Sequence, residues 1–522
     1  MIQGDIVSAI VERDVHPLVA KLLVEKGIND EALLEVTFDP KVENMPPPEL
    51  IPDMEEAVKL AAKFIGRKEI ILVWGHDDAD GVTGTSILYD AIRTVGGRVL
   101  YYIPDKKSKG GHSINEEGLK YAAQNEVKLI ITTDCCTNSE EEISIARDMG
   151  IEVIVTDHHE VFVQDPDYLI VNPKRGGAYP YLSGSAVAFK FAWHLFKITN
   201  HWDIATIVQE KPEYLVWATI GIIADRMPIF SENRAIYNRA EEIFTEHTFT
   251  FQKAYENVKG KRPSLYELTN IISSSHTKGN YHEGVELLMT GDINVAEEIM
   301  RRLVTFSEIW YRKAEELLSE VIKDVSTSRP YIMVDLGKKG MGYLGYVANK
   351  LKEKYKMPSI ALGRRDDKKV VGELRAPQGF DTLELLESLS WMLIDYGGHK
   401  VASGFSMDEA FLPSLVEEID AFFAERGKID YTRAKADLIL RAEEVDDKFF
   451  KDLVKMGFLG LSAYVLIEGR LEDITNNLLS VRVIDPQGFL GLYPPETEVR
   501  VLIQTTPDGL YLDTMEKLEG ST

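Results

Sequence analysis

The chain has 522 residues, 44% of them hydrophobic, and a formal net charge of -25. That length fits about three domains with sizeable cores. The two cysteines, Cys135 and Cys136, are adjacent and exclude a disulfide framework. No apolar run is long enough to span a bilayer, and no leader-like segment opens the chain, so a cytoplasmic protein is expected. The acidic balance argues against broad duplex binding. Any nucleic-acid contact would be local and confined to a channel.

Residues 1–66 read as a helical lead-in. Leu18, Leu22, Leu23 and Ile28 carry the apolar face, and Met45-Pro46-Pro47-Pro48 marks an extended wrap. Ile70–Trp74 is a continuous apolar run, as a parallel strand buried on both faces requires. It ends in the loop Gly75-His76-Asp77-Asp78-Ala79-Asp80-Gly81, with a helix beginning near Val82. Further strands are predicted at 98–103, 127–132, 151–156 and Leu169–Val171, most of them separated by helices. This is a βαβ series, hence an α/β fold with a parallel sheet in its N-terminal lobe. From 231 to 325 the pattern is helical. Val295, Ile299, Leu303, Phe306, Trp310, Leu317 and Val321 predict one long amphipathic helix bridging two lobes. Residues 330–426 read as a second α/β unit. Its strands are predicted at 331–334, 359–362 and 370–374 and its helices at 342–355 and 382–391, with Gly397-Gly398-His399 in a loop. Residues 434–522 look β-rich around a helix at 447–456. Asn476-Asn477 and Pro507-Asp508-Gly509 are hairpin signals, and a small oligonucleotide-binding (OB-like) barrel is expected.

Four acidic, His-bearing segments fall where strands should end. They are the Gly75–Gly81 loop, Thr133-Asp134, Asp157-His158-His159-Glu160 and Ala224-Asp225. In open α/β sheets the carboxyl ends of the strands build the site. Each segment has an ordinary alternative: an Asp/Gly turn for the first, a helix N-cap for Asp134. Vicinal histidines at a strand end are less ordinary, and Asp225 after an apolar run needs a partner. Together, carboxylates and imidazoles suit a divalent-metal site. Buried together without a cation they would repel one another at several kcal/mol each. A metal pair would also supply phosphoester chemistry.

These segments resemble the motifs of the DHH phosphoesterase superfamily, and within it the RecJ-like exonucleases. His76-x-Asp78-x-Asp80-Gly81 is similar to motif one, Asp134 to motif two, Asp157-His158-His159 to the namesake motif and Asp225 to the fourth. His76 stands where bacterial RecJ usually has Asp, a variant similar to archaeal members, among them helicase-associated nucleases. Cys136 stands where Gly is usual, which puts the loop geometry there in question. Gly342-x-x-x-x-x-Ala348 and Gly397-Gly398-His399 resemble the DHHA1 domain usually attached to such a domain. The implied organisation is a DHH catalytic domain with its lead-in over 1–230 and a helical connector over 231–328. A substrate-binding DHHA1 domain follows over 329–428 and a β-rich OB-like domain over 434–522.

The resemblance implies two Mn²⁺ or Mg²⁺ ions bridged by Asp134, with His76, Asp78, His158 and Asp225 completing the shells. Asp80, Asp157 and His159 are candidates to ligate the metals or to brace their ligands, and His159 joins Asp78, Asp134 and His158 among the candidate catalytic residues. Arg375, Gly397, Gly398 and His399 are the candidate substrate-binding residues. Lys106, Lys107 and Lys109 before Gly110-Gly111-His112 form another candidate phosphate loop. The implied activity is exonucleolytic hydrolysis of single-stranded DNA or RNA to nucleoside monophosphates, in DNA repair or replication, with a helicase or repair protein as partner. Bacterial RecJ resemblance implies 5′→3′ polarity; the archaeal features lean the reading to 3′→5′. The rival readings are an oligoribonuclease or cyclic-dinucleotide phosphodiesterase, and an inactive replication scaffold.

Overall fold

The structure is a computed structural model that describes residues 3–104, 113–164, 166–278, 281–427 and 430–518. The candidate phosphate loop around Lys106, Lys107, Lys109 and His112 lies outside the described residues. Among the described residues no helix is long and apolar enough to cross a membrane.

The first domain holds β1 (Ile70–Trp74), β2 (Arg98–Tyr102), β3 (Val127–Thr133), β4 (Glu152–Thr156) and β5 (Leu169–Val171). They form one parallel sheet in the order β2-β1-β3-β4-β5. Successive side chains of a strand point to opposite faces. Ile71, Val73, Leu129, Ile131 and Ile154 therefore enter a large core with the helices Ala79–Thr94, Gly184–Asn200 and Glu213–Ala224. Leu72, Trp74, Ile130, Val153 and Val155 enter a second core on the other face. Both faces being covered explains why these strands lack polar alternation.

The connector contains the short hairpin β6 (Thr277–Lys278) and β7 (Tyr281–His282), then the 29-residue helix Ile293–Val321. At 1.5 Å per residue that helix is about 44 Å long. Ile299, Met300 and Leu303 pack into the first-domain core, whereas Leu318 packs into the second domain. The helix thus joins the two lobes as its periodicity predicts.

The second domain contains β8 (Ile332–Asp335), β9 (Ser359–Arg364), β10 (Lys369–Arg375), β11 (Leu393–His399) and β12 (Ala402–Asp408), ordered β11-β12-β10-β9-β8. Only the β8–β9 pair is parallel. Here one expectation is corrected. Gly397-Gly398-His399 is not a loop but the end of edge strand β11, paired with β12. Gly398 has φ 131°, and a Cβ there would lie 2.5 Å from the Ala402 carbonyl oxygen, so this close pairing needs glycine.

The C-terminal domain is β-rich. Its strands β13 (Leu438–Arg441), β14 (Tyr464–Arg470), β15 (Val483–Ile484), β16 (Glu498–Thr506) and β17 (Gly509–Lys517) form a mixed sheet ordered β13-β14-β16-β17-β15. Among the described residues no pairing joins β13 to β15. Pro507-Asp508 turns β16 into β17 as expected, but Asn476-Asn477 lies within the helix Leu471–Leu478 instead of a hairpin. This domain folds back onto the lead-in. The His16 N–H donates to Asp452 Oδ2 at 2.7 Å, and Lys26 Nζ pairs with Asp437 Oδ1 at 2.7 Å.

A buried ion pair pins the lead-in and the helix Glu232–Glu246 to the first domain. Lys190 and Glu232 are both fully buried and pair with each other. Glu232 Oε2 accepts from the Tyr179 N–H at 2.6 Å, and Lys190 donates to the Pro46 carbonyl at 2.8 Å. Removing one partner of such a pair strands the other charge. Glu232→Ala should destabilise the protein by about 3–5 kcal/mol, read by urea unfolding.

Candidate metal centre

The first acidic loop leaves the carboxyl end of β1 and runs into the helix Ala79–Thr94. Asp78 is the N-cap of that helix: its Oδ1 accepts from the Gly81 N–H at 3.0 Å. Its other oxygen, Oδ2, lies 2.8 Å from His76 Nδ1. His76 Nδ1 is also 3.7 Å from Asp134 Oδ2. Asp134 follows β3 and is buried in a left-handed conformation, φ 61°. The helix Gly184–Asn200 begins against it; a Cβ on Gly184 would lie 2.6 Å from Asp134 Cβ.

His158 follows β4 and is central. Its Nε2 lies 3.1 Å from Asp134 Oδ1, 3.2 Å from Asp225 Oδ2 and 3.8 Å from Asp80 Oδ2. Three overlapping ligand groups result: His76, Asp78 and Asp134; Asp80, Asp134, His158 and Asp225; and Asp134, Asp157, His158 and His159. Within each, the donor atoms lie within 4.8 Å of one another. Asp134 belongs to all three. The four segments predicted from sequence therefore converge, with one correction. Asp225 does not follow a strand; it is the C-cap of the helix Glu213–Ala224, whose apolar residues are buried in the core.

Electrostatics shows what the cluster lacks. Burial, followed by the charges of Asp78 and Asp80, pushes the Asp134 carboxyl well above the usual range. Burial and the Asp225 charge push Asp80 up to about 6. Burial opposes a charged His158, yet its contacts with Asp134 and Asp225 hold its pKa well above the ordinary value. Asp134 Oδ1 and His158 Nε2 are buried and make no hydrogen bond, although they face each other. Buried polar atoms are nearly always paired. A mixed carboxylate–imidazole set with two such orphaned atoms fits a divalent cation.

The remaining acidic groups have protein partners. Asp80 Oδ2 accepts from the Gly184 N–H at 2.6 Å and Oδ1 from the Ser185 N–H at 2.9 Å, at a helix N-terminus that favours negative charge. Asp157 Oδ1 lies 2.7 Å from His159 Nδ1, and its Oδ2 accepts from the Thr137 N–H at 3.0 Å. Burial would raise the Asp157 carboxyl, but His159, His158 and Thr137 together outweigh it and hold the group well below the carboxylate range.

In the second lobe, Arg375 ends β10. Its Nη1 donates to Glu373 Oε2 at 2.9 Å and to the Leu374 carbonyl at 2.7 Å. Lys352, on the helix Leu344–Tyr355, has a lowered pKa. Burial is the larger cause, and the charges of Arg226, Arg375 and Lys356 add to it. A cationic group thus gathers here, including Arg226, which directly follows Asp225. Gly397 and Gly398 lie in β11, as does the His399 backbone. On the β9–β10 hairpin Arg364 Nη2 pairs with Asp335 Oδ2 at 2.6 Å, and nearby Lys338 pairs with Asp366 Oδ1 at 2.5 Å.

Sequence reasoning missed three residues. His282 donates from Nε2 to Asp77 Oδ1 at 2.8 Å, because its Nδ1 already accepts from the Gly284 N–H at 3.1 Å. It supports the first acidic loop from a segment 205 residues away. Gly221 carries the helix Glu213–Ala224 across Asp80; a Cβ there would overlap Asp80 Oδ1 and Ser185 Oγ. Arg226 was passed over because nothing in its spacing marks it. Cys136, by contrast, was singled out. It adopts a glycine-like φ of 78°, and its side chain packs in the core on the second face of the sheet. Both cysteines are buried, with Sγ atoms 3.3 Å apart.

The chain is similar to known proteins. The DHH family, N-terminal domain, matches residues 70–222, and the DHHA1 domain matches residues 330–425. The chain is 28% identical over 495 residues to the single-stranded-DNA-specific exonuclease RecJ of Bacillus subtilis, covering 90% of this chain and 61% of that protein. It is 26% identical to RecJ of Thermus thermophilus, covering 73% of this chain and 56% of that protein. The chain therefore spans less than two thirds of the length of these relatives. Among solved structures, exonuclease RecJ bound to manganese superposes with a TM-score of 0.63 at 26% identity, covering 73% of this chain and 97% of that one. RecJ in complex with Mn²⁺ from Thermus thermophilus superposes with a TM-score of 0.67 at 22% identity, covering 99% of this chain and 78% of that one.

The close packing around the cluster is testable. Gly221→Ala should destabilise the protein by about 1–3 kcal/mol, because the helix cannot back away from Asp80 without opening the core. At position 136, Gly should be tolerated and Val should not, since a β-branched residue is poorly suited to the left-handed region. Urea unfolding of the three variants reads both outcomes.

Proposed function

We propose that this chain, a RecJ-like member of the DHH superfamily, is a metal-dependent exonuclease that hydrolyses single-stranded DNA to nucleoside monophosphates. One observation carries the reading: Asp134 is shared by every ligand group at the carboxyl edge of the sheet. A carboxylate so placed is suited to bridge two cations, Mn²⁺ or Mg²⁺. His76 and Asp78 would hold one, and His158 with Asp225 the other; Asp80 would brace the second. When bound, such a pair supplies Lewis-acid polarisation of a phosphodiester and activation of water at neutral pH.

The protein's own groups do the rest. Asp157 orients His159 through Nδ1 and fixes the backbone of His158, whose N–H donates to Asp157 Oδ1 at 2.7 Å. His159, more exposed than His158, would meet the substrate phosphate beside the ligands. Arg375, Lys352 and the β11 glycines of the second lobe would grip a strand entering between the lobes. Arg375 would exchange Glu373 for a phosphate, a charge-assisted contact of the bidentate kind. All ligand positions carry competent side chains, which favours an enzyme over an inactive scaffold.

The lean to 3′→5′ polarity drawn from archaeal features such as His76 gains no support from the bacterial RecJ relatives. Their resemblance implies 5′→3′, and that is the polarity we propose. A cytoplasmic role in DNA repair or replication, beside a helicase, belongs to the same reading.

Single strands of DNA and RNA labelled at either end, digested with Mn²⁺, test it. Loss of label from the 5′ end of DNA first is the expected result. Asp134→Ala should abolish hydrolysis, and His158→Ala or Asp225→Ala should nearly do so. Near-normal rates in Asp134→Ala, or duplex cleaved as fast as single strand, would sink the reading.

A further inference from the structure

Beside the first acidic loop, outside the ligand cluster, lies a second recess of different chemistry. It has a cavity volume of about 50 Å³, opens to solvent, and is lined by Tyr101, Tyr102, Tyr121, Tyr281, Thr277 and His282. We propose that it is a docking site for one nucleobase of the single strand; this rests on the nuclease reading for its ligand but not for its geometry.

The recess is joined to the metal centre by bonds at both ends. Tyr101 and Tyr102 close the edge strand β2, and the Gly75 N–H that opens the acidic loop donates to the Tyr102 carbonyl at 3.0 Å. On the other side His282 bonds Asp77, which sits between His76 and Asp78. The β6–β7 hairpin is fastened over the recess: Thr277 Oγ1 donates to the Ile103 carbonyl at 3.0 Å, and the His282 N–H donates to Tyr101 Oη at 3.1 Å. The recess thus adjoins the loop that carries His76 and Asp78.

The lining suits a flat ligand with polar edges. The rings are fixed in advance: Tyr102 lies 4.8 Å from Trp74 and 5.5 Å from Tyr121, centroid to centroid. Tyr101 packs edge-on against Tyr89 at 5.5 Å. Among the described residues the hydroxyls of Tyr102, Tyr121 and Tyr281 make no hydrogen bond, and the Tyr101 hydroxyl only accepts. Partly buried phenols usually find a partner. Aromatic faces with idle hydroxyls match a base, which has a π-face and hydrogen-bonding edges whatever its identity.

Tyr281 is the ring that can be removed at least cost to the core, since it is 39% exposed. The test is equilibrium binding of fluorescein-labelled dT10 in chelator, by anisotropy, with the full chain. Tyr281→Ala should weaken binding about 5- to 100-fold, the range of one lost stacking contact, and Tyr281→Phe should restore it. Placing an abasic nucleotide along the oligomer should weaken binding to the parent protein at one position. At that position Tyr281→Ala should add no further loss. Unchanged affinity in Tyr281→Ala, full loss in Tyr281→Phe, an equal loss with every abasic oligomer, or no binding of dT10 by the parent protein would each overturn the proposal. Because hydrolysis is absent from this assay, a parent protein that binds dT10 in this pattern but never cleaves it with Mn²⁺ would count against the nuclease reading and for the recess.

Discussion

Mutual repulsion among Asp78, Asp80, Asp134 and Asp225 is the constraint around which the first domain is arranged. Each carboxylate that the protein can satisfy by itself has been given a donor. Asp78 caps its own helix, Asp80 takes two backbone N–H groups of the next, and Asp157 takes Thr137 and His159. What is left is Asp134 opposite His158, with an oxygen and a nitrogen buried and unbonded. The local backbone pays for this placement. Asp134 sits at positive φ, and glycines at 184 and 221 let two helices approach closely enough to surround it. The helices could not separate without exposing the core they share.

The second lobe presents the opposite problem. Burial first, and then the charges of Arg226 from the first lobe, Arg375 and Lys356, disfavour a protonated Lys352 against the pull of Glu353. Two groups of like charge, one acidic and one basic, lie on an otherwise acidic chain. A phosphodiester with its cations would relieve both at once. This is how a protein of net charge -25 can hold a polyanion: the attraction is short-ranged and confined to where the chemistry occurs.

Much of this was legible in the sequence because local rules and the fold agree. Apolar runs marked all five strands of the first sheet, and acidic residues just after three of them marked the functional edge. Legibility failed where the determining partner is distant. Asp225 follows an apolar run that is a helix buried on all sides, which periodicity cannot distinguish from a strand. His282 finds Asp77 across 205 residues, and nothing in either segment announces the other. Gly397-Gly398-His399 looked like a loop because glycine usually breaks strands; here β12 passes so close that only glycine fits. Asn476-Asn477 carried a turn signal that burial of Ile474 and Leu478 overrode in favour of a helix.

The bond between His16 and Asp452 closes a loop of 436 residues. During synthesis at roughly 5–20 residues per second, the lead-in would wait about 20–90 s for that partner to be made. The first domain must therefore reach a folded state with its N-terminal flank only partly covered. The C-terminal domain then arrives as a clasp that joins the beginning of the chain to its late portion. Its arrival would be a late step in maturation, and a nascent chain stalled before residue 452 would expose the helix Pro17–Glu25 to chaperones or proteases.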